Sequence, residues 1–130
     1  MTINDPATIA ELQALYPRYE EALIHNDVET LTAMFWNSPH AIRFGVGENL
    51  YGTDEIEAFR KSRPAVNLAR RTIRLEIVSF GTDYASITLE FERDTPTGIT
   101  RGRQSQVWVR MPEGWRIVSA HVSTLPAPKP

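Results

Sequence analysis

The sequence contains no cysteine, which excludes disulfide bonds and thiolate chemistry. It also lacks a basic stripe or an acidic tail, and its formal net charge is only −2, so the composition does not favour a nucleic-acid partner. No apolar run approaches the roughly 20 residues of a membrane-spanning helix. The segment Met1–Pro6 lacks the basic and apolar parts of a signal peptide. We therefore expect a cytoplasmic protein that binds neither nucleic acid nor membrane.

The first part of the chain carries apolar residues at helical spacing. Asp5 and Pro6 predict the start of a first helix, which has two tyrosines on its apolar face. Residues 25–27 separate it from a second helix. A third helix is predicted to start with Thr53 as its N-cap and to stop at residues 62–64.

The rest of the chain is rich in alternating strand patterns separated by turn residues. A short strand is predicted at Ala41–Phe44, and the long ones at residues 71–80, 84–93, 99–111 and 115–123. Three helices followed by such a meander predict an α+β fold. In that fold the helices pack on one face of a curved antiparallel sheet and leave a central pocket. We assign residues 1–130 to one domain, with a proline-rich tail at 125–130.

Polar residues on faces expected to be buried are the candidates for chemistry. If the last hairpin turns at Glu113–Gly114, Gln106 lies opposite His121, and Gln104 lies opposite Ser123. These four side chains then form a polar patch on the inner face. A turn that is one residue longer or shorter would change that register. The same residues could equally form an exposed face or a satisfied hydrogen-bond network.

Tyr19 and Arg43 are the other two candidates. Tyr19 lies on the helix face that meets the sheet, and is either a packing residue or a proton donor in a dry pocket. Arg43 lies between apolar residues of the short strand. If it points inward it needs a carboxylate from a ligand or from the protein, for which Glu48 and Glu90 are the candidates. We expect most of the remaining arginines considered to be surface charges: Arg70, Arg71, Arg74, Arg101 and Arg103.

Several classes of site are not indicated. There is no glycine-rich phosphate loop and no serine nucleophile elbow. The three histidines, at positions 25, 40 and 121, are not spaced like metal ligands. We therefore expect neither a metal nor a cofactor.

Two groups of motifs resemble known families. The segments Gly102–Arg110 and Gly114–Ser123 resemble the last hairpin of SnoaL-like domains, which belong to the nuclear transport factor 2-like superfamily of cone-shaped α+β folds. The middle of the chain is similar to the AtzH-like group within that superfamily. The motifs that carry this second resemblance are the stretch from Leu31 through Phe35-Trp36, then Arg43-Phe44-Gly45, Glu48-Asn49-Leu50-Tyr51-Gly52 and Phe59-Arg60.

The AtzH-like resemblance implies a specific activity. It implies a decarboxylating amidohydrolase, free of metal and cofactor, that acts on a small N-carboxylated urea such as 1,3-dicarboxyurea in cyanuric acid or oxalurate breakdown. The essential tyrosine and arginine of that group match Tyr19 and Arg43. Arg43 would bind a substrate carboxylate and Tyr19 would supply a proton. The four residues of the predicted polar patch would orient the urea.

Two alternatives remain open at this stage, because a fold does not settle a function. One is an isomerase, cyclase or dehydratase with a mainly apolar pocket. The other is a binding or assembly module, since the last hairpin also resembles the association domain of calcium/calmodulin-dependent kinase II. The resemblance further implies a homodimer or larger homo-oligomer formed through the exposed side of the sheet. Trp108 and Trp115 are the predicted contributors to that interface.

Overall fold

The computed structural model describes residues 1–64 and 68–127, which form three helices and six strands. In chain order these are α1 (Pro6–Ile24), α2 (Val28–Met34), β1 (Ile42–Phe44), β2 (Asn49–Tyr51), α3 (Thr53–Ser62), β3 (Arg71–Phe80), β4 (Tyr84–Thr95), β5 (Gly98–Met111) and β6 (Gly114–Thr124). None of the helices within these ranges combines the length and the apolar character that a bilayer crossing requires. Residues 128–130 of the predicted tail lie outside the described residues.

The first two helices begin at aspartate caps. The Asp5 carboxylate accepts a hydrogen bond from the Thr8 amide at 3.1 Å, and Pro6 stands in the first turn, where no backbone donor is needed. Asp27 accepts a hydrogen bond from the Thr30 amide at 3.2 Å and so caps α2. The helix starts predicted from the sequence are confirmed at both places.

The third helix begins differently from the prediction. Its N-cap is Gly52, with a φ angle of +86°, and Thr53 is the first helical residue. The Thr53 hydroxyl accepts a hydrogen bond from the Ser38 amide at 2.7 Å and donates to the Trp36 carbonyl at 2.9 Å. The hydroxyl therefore fastens the segment before β1 to α3, and the prediction that Thr53 is the N-cap is wrong.

All six strands join in one sheet, in the order β2-β1-β6-β5-β4-β3. The four long strands form the predicted antiparallel meander and lie within two residues of the predicted ranges. β1 pairs with β6 in parallel and with β2 antiparallel. The α+β architecture is confirmed, and the parallel pair makes the sheet mixed. No hairpin joins β1 to β6, so a turn does not fix their relative direction.

The register of the β5–β6 hairpin differs from the prediction for two reasons. The turn lies at Pro112–Glu113, one residue earlier than predicted. A β-bulge between Ile117 and Ser119 then leaves Val118 without a paired residue. Compared with the predicted register, the earlier turn shifts the β6 partner of each β5 residue by two positions, and the bulge shifts it back by one. The net shift of one residue reverses which side chains face the core.

This shift separates the four residues of the predicted polar patch. Gln104 and Gln106 lie on the inner face and are 1% and 2% exposed. His121 and Ser123 lie on the outer face, where the His121 ring packs edge-on against Phe44 at 5.8 Å between centroids. The predicted pairing of Gln106 with His121 and of Gln104 with Ser123 is therefore wrong.

The helices pack on the inner face of the sheet, and the two tryptophans of the β5–β6 hairpin belong to this core. Trp108 is 0% and Trp115 is 6% exposed, so the prediction that they contribute to a subunit interface is wrong.

The Trp115 indole donates to Glu11 of α1 at 2.9 Å, and Arg110 lies 2.8 Å from the same carboxylate. The Trp115 hydrogen bond and then that of Arg110 hold the pKa of Glu11 below its usual value.

Candidate functional site

A small cavity opens between the helices and the inner face of the sheet. Its volume is about 210 Å³, below the roughly 300–1,000 Å³ of pockets for drug-sized ligands, so it suits a small molecule. α1, β1, α3 and β4, with the segments that adjoin them, supply its polar wall. The titratable residues of that wall are Tyr19, Arg43, Glu48, Arg63, Arg70 and Arg93.

Tyr19 reaches the cavity from α1. It lies on the inner face of that helix, with Tyr16 one turn before it and Leu23 one turn after it. Its ring meets the Trp108 indole edge-on, with 6.5 Å between ring centroids, and the residue is 2% exposed. Its phenol is therefore buried at the cavity wall, on the helix face that the spacing predicts.

Arg43 enters the cavity from the opposite wall. It is the middle residue of β1, between Leu50 of β2 and Ala120 of β6, and it is 5% exposed. Its Nη1 donates to the Glu48 Oε1 at 3.0 Å. Glu48 reaches it because Gly45 has no side chain where the glutamate oxygen lies. Arg43 thus points inward and Glu48, one of the two predicted partners, balances it.

Arg70 is a third wall residue and is the exception among the five arginines of which most were predicted to be surface charges. Its side chain is 2% exposed and lies 2.6 Å from Glu20. A closed ring of hydrogen bonds holds it, since Arg70 donates to Glu20 and Gln104, Gln104 donates to Tyr16, and Tyr16 donates to Glu20. Burial, and next the Glu20 charge, raise the pKa of Tyr16 well above its ordinary value. The other arginines predicted to be surface charges are exposed: Arg71, Arg74, Arg101 and Arg103.

Two further arginines of the wall lack an acidic partner. In the described part of the chain, no carboxylate forms an ion pair with Arg63 or Arg93. Burial and then the nearby Arg43 lower the pKa of Arg63. Burial and then Arg70 lower that of Arg93. Both guanidinium groups are therefore half-buried beside other cations, which is an unfavourable arrangement until an anion enters.

Behind the wall lies Arg60 of α3, which is 0% exposed. Its Nη2 lies 3.4 Å from the Tyr19 hydroxyl, and its guanidinium stands over the Phe35 ring at 5.5 Å. Together with the wall, this makes five guanidinium groups, while Glu20 and Glu48 are the only carboxylates that pair with any of them among the described residues. The site is therefore strongly cationic, although the chain as a whole is slightly acidic.

The structure brings some of the predicted site residues together and separates others. Tyr19, Arg43 and Gln104 line the same cavity. Gln106 is buried nearby without lining it, and its Oε1 accepts a hydrogen bond from the Trp108 indole at 2.9 Å. His121 and Ser123 stand on the opposite face of the sheet. Within the described ranges, no group of three or more His, Asp or Glu side chains is placed to hold a metal ion.

Sequence reasoning missed most of the arginines. Arg60 follows the buried Ile56 by four residues, so helical spacing already places it on the inner face of α3. Arg93 continues the buried alternation of β4 one step beyond Phe91. Arg70 has no such signal, because it lies in an irregular segment before β3.

Solved structures of other proteins have the same fold as this chain. The chain is 45% identical to a protein of unknown function from Pectobacterium atrosepticum, over 95% of each chain and with a TM-score of 0.90. It is 40% identical to a cystatin-like fold protein from Burkholderia xenovorans, covering 98% and 99% of the two chains, also with a TM-score of 0.90. A putative ketosteroid isomerase from Parabacteroides distasonis shares the fold at 19% identity and a TM-score of 0.69, over 95% and 90% of the chains.

These similarities define an α+β fold of the nuclear transport factor 2-like type, in agreement with the resemblance of the last hairpin to SnoaL-like domains. No curated protein matches the sequence. The family model described as AtzH-like matches residues 1–128. The chain therefore belongs to the AtzH-like family.

Proposed function

We propose that this protein is a decarboxylating amidohydrolase that acts on a small N-carboxylated urea of the 1,3-dicarboxyurea type. The observation that carries the proposal is the cavity of about 210 Å³, which four arginines and Tyr19 line together. Such a wall suits a small, planar molecule with two negative charges. Family membership supports the same reading, because the AtzH-like resemblance implies this activity and assigns it to Tyr19 and Arg43.

Charge balance favours an anionic ligand. Burying a guanidinium group without an anion is costly, and Arg63 and Arg93 have no carboxylate partner in the described residues. A ligand with two carboxylates supplies the missing negative charge. Guanidinium groups also match carboxylates in geometry, because they donate two parallel hydrogen bonds. A mainly apolar substrate would leave these arginines unpaired, which disfavours the isomerase alternative.

Arg43 is proposed to hold a carboxylate that stays on the product. Among the described residues it donates only through Nη1, to Glu48, so its other donors remain for a ligand. A carboxylate that leaves as CO₂ loses its charge, and a strong cation contact to it would favour the reactant over the transition state. The tightest ionic contact is therefore better placed on the retained carboxylate.

Tyr19 is proposed to protonate the urea nitrogen. The N–C bond to the departing carboxylate breaks, CO₂ leaves, and the electron pair of that bond remains on nitrogen. That nitrogen takes the Tyr19 proton, and water then reprotonates the phenolate. The positive wall of Arg43, Arg63 and Arg70 would stabilise the transient phenolate. Gln104 has a supporting role, because its amide already bonds Arg70 and Tyr16.

The test is turnover of a panel of ureides. Release of CO₂ and bicarbonate would be measured with 1,3-dicarboxyurea. Oxalurate, whose carboxylate is bonded to carbon, and uncarboxylated urea are the controls, and protein-free buffer gives the spontaneous rate. We expect acceleration only for the N-carboxylated urea, and a loss of about 100-fold or more in Tyr19→Phe. If no compound of the panel reacts faster with the protein than in buffer alone, the proposal is refuted.

A further inference from the structure

Arg60 is a buried cation that the proposed reaction does not use. It lies on the inner face of α3, one turn after Ile56, and is 0% exposed. Among the described residues, its Nε and Nη1 have no hydrogen-bond partner, and no carboxylate pairs with it. Burial lowers its pKa. An unpaired guanidinium group in a core destabilises the fold, so packing alone does not account for this residue.

Within residues 1–64 and 68–127, two contacts remain for the Arg60 guanidinium. The Phe35 ring lies beneath it, with 5.5 Å to the ring centroid, and offsets part of the lost hydration. Its Nη2 donates to the Tyr19 hydroxyl at 3.4 Å. The direction of this second contact is fixed, because guanidinium groups carry donors only. The Tyr19 oxygen therefore accepts, and its own proton is left for a ligand in the cavity.

The neighbouring tyrosine on the same helix shows the opposite arrangement. Tyr16 donates its proton to Glu20 at 2.6 Å, and its oxygen accepts from Gln104 at 3.0 Å. The Tyr16 proton is thus held by a carboxylate. Burial is the main cause that raises the pKa of Tyr16, and the Glu20 charge is the second. The two phenols lie 5.8 Å apart by ring centroid, yet only Tyr19 meets a cation and keeps a free proton within the described structure.

We propose that Arg60 is the positioning residue for Tyr19. It holds the phenol oxygen, leaves the phenol proton directed to the substrate, and stabilises the negative charge that remains on the oxygen once that proton has moved. Arg60 does not line the cavity, so it acts through Tyr19 and not on the ligand. The inference rests on the proposed function for its catalytic part, while the contact itself can be tested without turnover.

Three variants test the inference. Arg60→Met removes the charge and the donors at similar size, and Arg60→Gln replaces it if Arg60→Met does not fold. Arg60→Lys keeps the charge. Arg74→Met is the matched control, because the Arg74 side chain is 70% exposed. Malonate, a stable dicarboxylate, would probe the cavity by calorimetry. We expect R60M to bind malonate within about twofold of wild type, and to lose about 10- to 1,000-fold in kcat with KM within about twofold. R60K should recover part of kcat.

Thermal stability separates positioning from packing. Replacing a buried, unpaired cation by an apolar side chain is expected to leave Tm unchanged or raise it. A packing role predicts instead that Tm falls, and that kcat falls only with the folded fraction. R60M with a raised or equal Tm and a reduced kcat supports the inference. R60M with full kcat, or with lost malonate binding, overturns it.

A spectroscopic measurement keeps the inference separate from the proposed function. Protein labelled with ¹³C at tyrosine Cζ gives one resonance for each of four tyrosines, and the Tyr19 resonance is assigned by its loss in Tyr19→Phe. We expect R60M to move this resonance and to leave those of the exposed Tyr51 and Tyr84 in place. An unmoved Tyr19 resonance refutes the Arg60 contact alone. Failure of wild-type protein to bind malonate refutes the anion cavity and hence the proposed function.

Discussion

Replacement of Arg43 by lysine tests whether the cavity recognises a carboxylate by shape as well as by charge. Arg43 is 5% exposed, so a carboxylate bound to it would be largely shielded from water. Removing one partner of a desolvated, hydrogen-bonded charge pair costs about 2–5 kcal/mol. At about 1.4 kcal/mol per tenfold, this predicts that Arg43→Ala lowers kcat/KM by about 30- to 4,000-fold. Lysine keeps the charge without the two-pronged donor, so we expect Arg43→Lys to be nearly as damaging.

The effect on stability should be much smaller than the effect on turnover. The Glu48 side chain is 27% exposed, so water can solvate it when Arg43 is removed, and we expect the loss of stability to stay below the loss of transition-state binding. Steady-state kinetics and thermal melts on R43A, R43K and the double variant R43A/E48A would separate the two effects, with Arg74→Lys as the exposed control. Unchanged turnover in R43A, or wild-type turnover in R43K alone, would refute the reasoning.

Three further predictions concern the cavity and the packing of the surrounding fold. Glu48→Gln removes the internal competitor for Arg43, so malonate affinity measured by calorimetry should rise about two- to fivefold; weaker binding would show that Glu48 assists the ligand. The pKa of Glu11 is lower in the folded state than in the unfolded state. Ionised Glu11 therefore stabilises the fold at pH values above its unfolded-state pKa, and this stabilisation is lost as the pH falls through its folded-state pKa. Acid melts should therefore show a smaller loss in Glu11→Gln. Gly102→Ala places a methyl group against the Phe91 ring, so Tm should fall; an unchanged Tm would contradict the close packing.

The long elements could be predicted because local pattern and tertiary packing agree in them. Alternation fixed β3 to β6, and glycine or proline turns marked their ends. β2 was not predicted, because three residues at the edge of a sheet carry no period. The bulge at Val118 has no glycine to mark it. That single extra residue sent His121 and Ser123 to the outer face, so the predicted polar patch failed although its strands were right.

The candidate site could be predicted only where a helix or strand period reached it. Tyr19 and Arg43 were found because each stands among apolar neighbours in a regular element. Arg60 and Arg93 have the same signal, but arginine usually lies at the surface, and neither was predicted as a site residue. The position of Arg70 depends on Glu20, fifty residues away along the chain, and no local pattern encodes such a contact.

A crystal structure of the wild-type protein with malonate would show directly whether the cationic cavity binds a small dianion. We expect a carboxylate in the cavity within about 3 Å of the Arg43 guanidinium nitrogens, with the second carboxylate towards Arg70 or Arg93 and the Tyr19 hydroxyl beside the ligand. A cavity that holds only water at saturating malonate, or malonate bound elsewhere on the surface, would contradict the claim that this cationic pocket binds a small dianion.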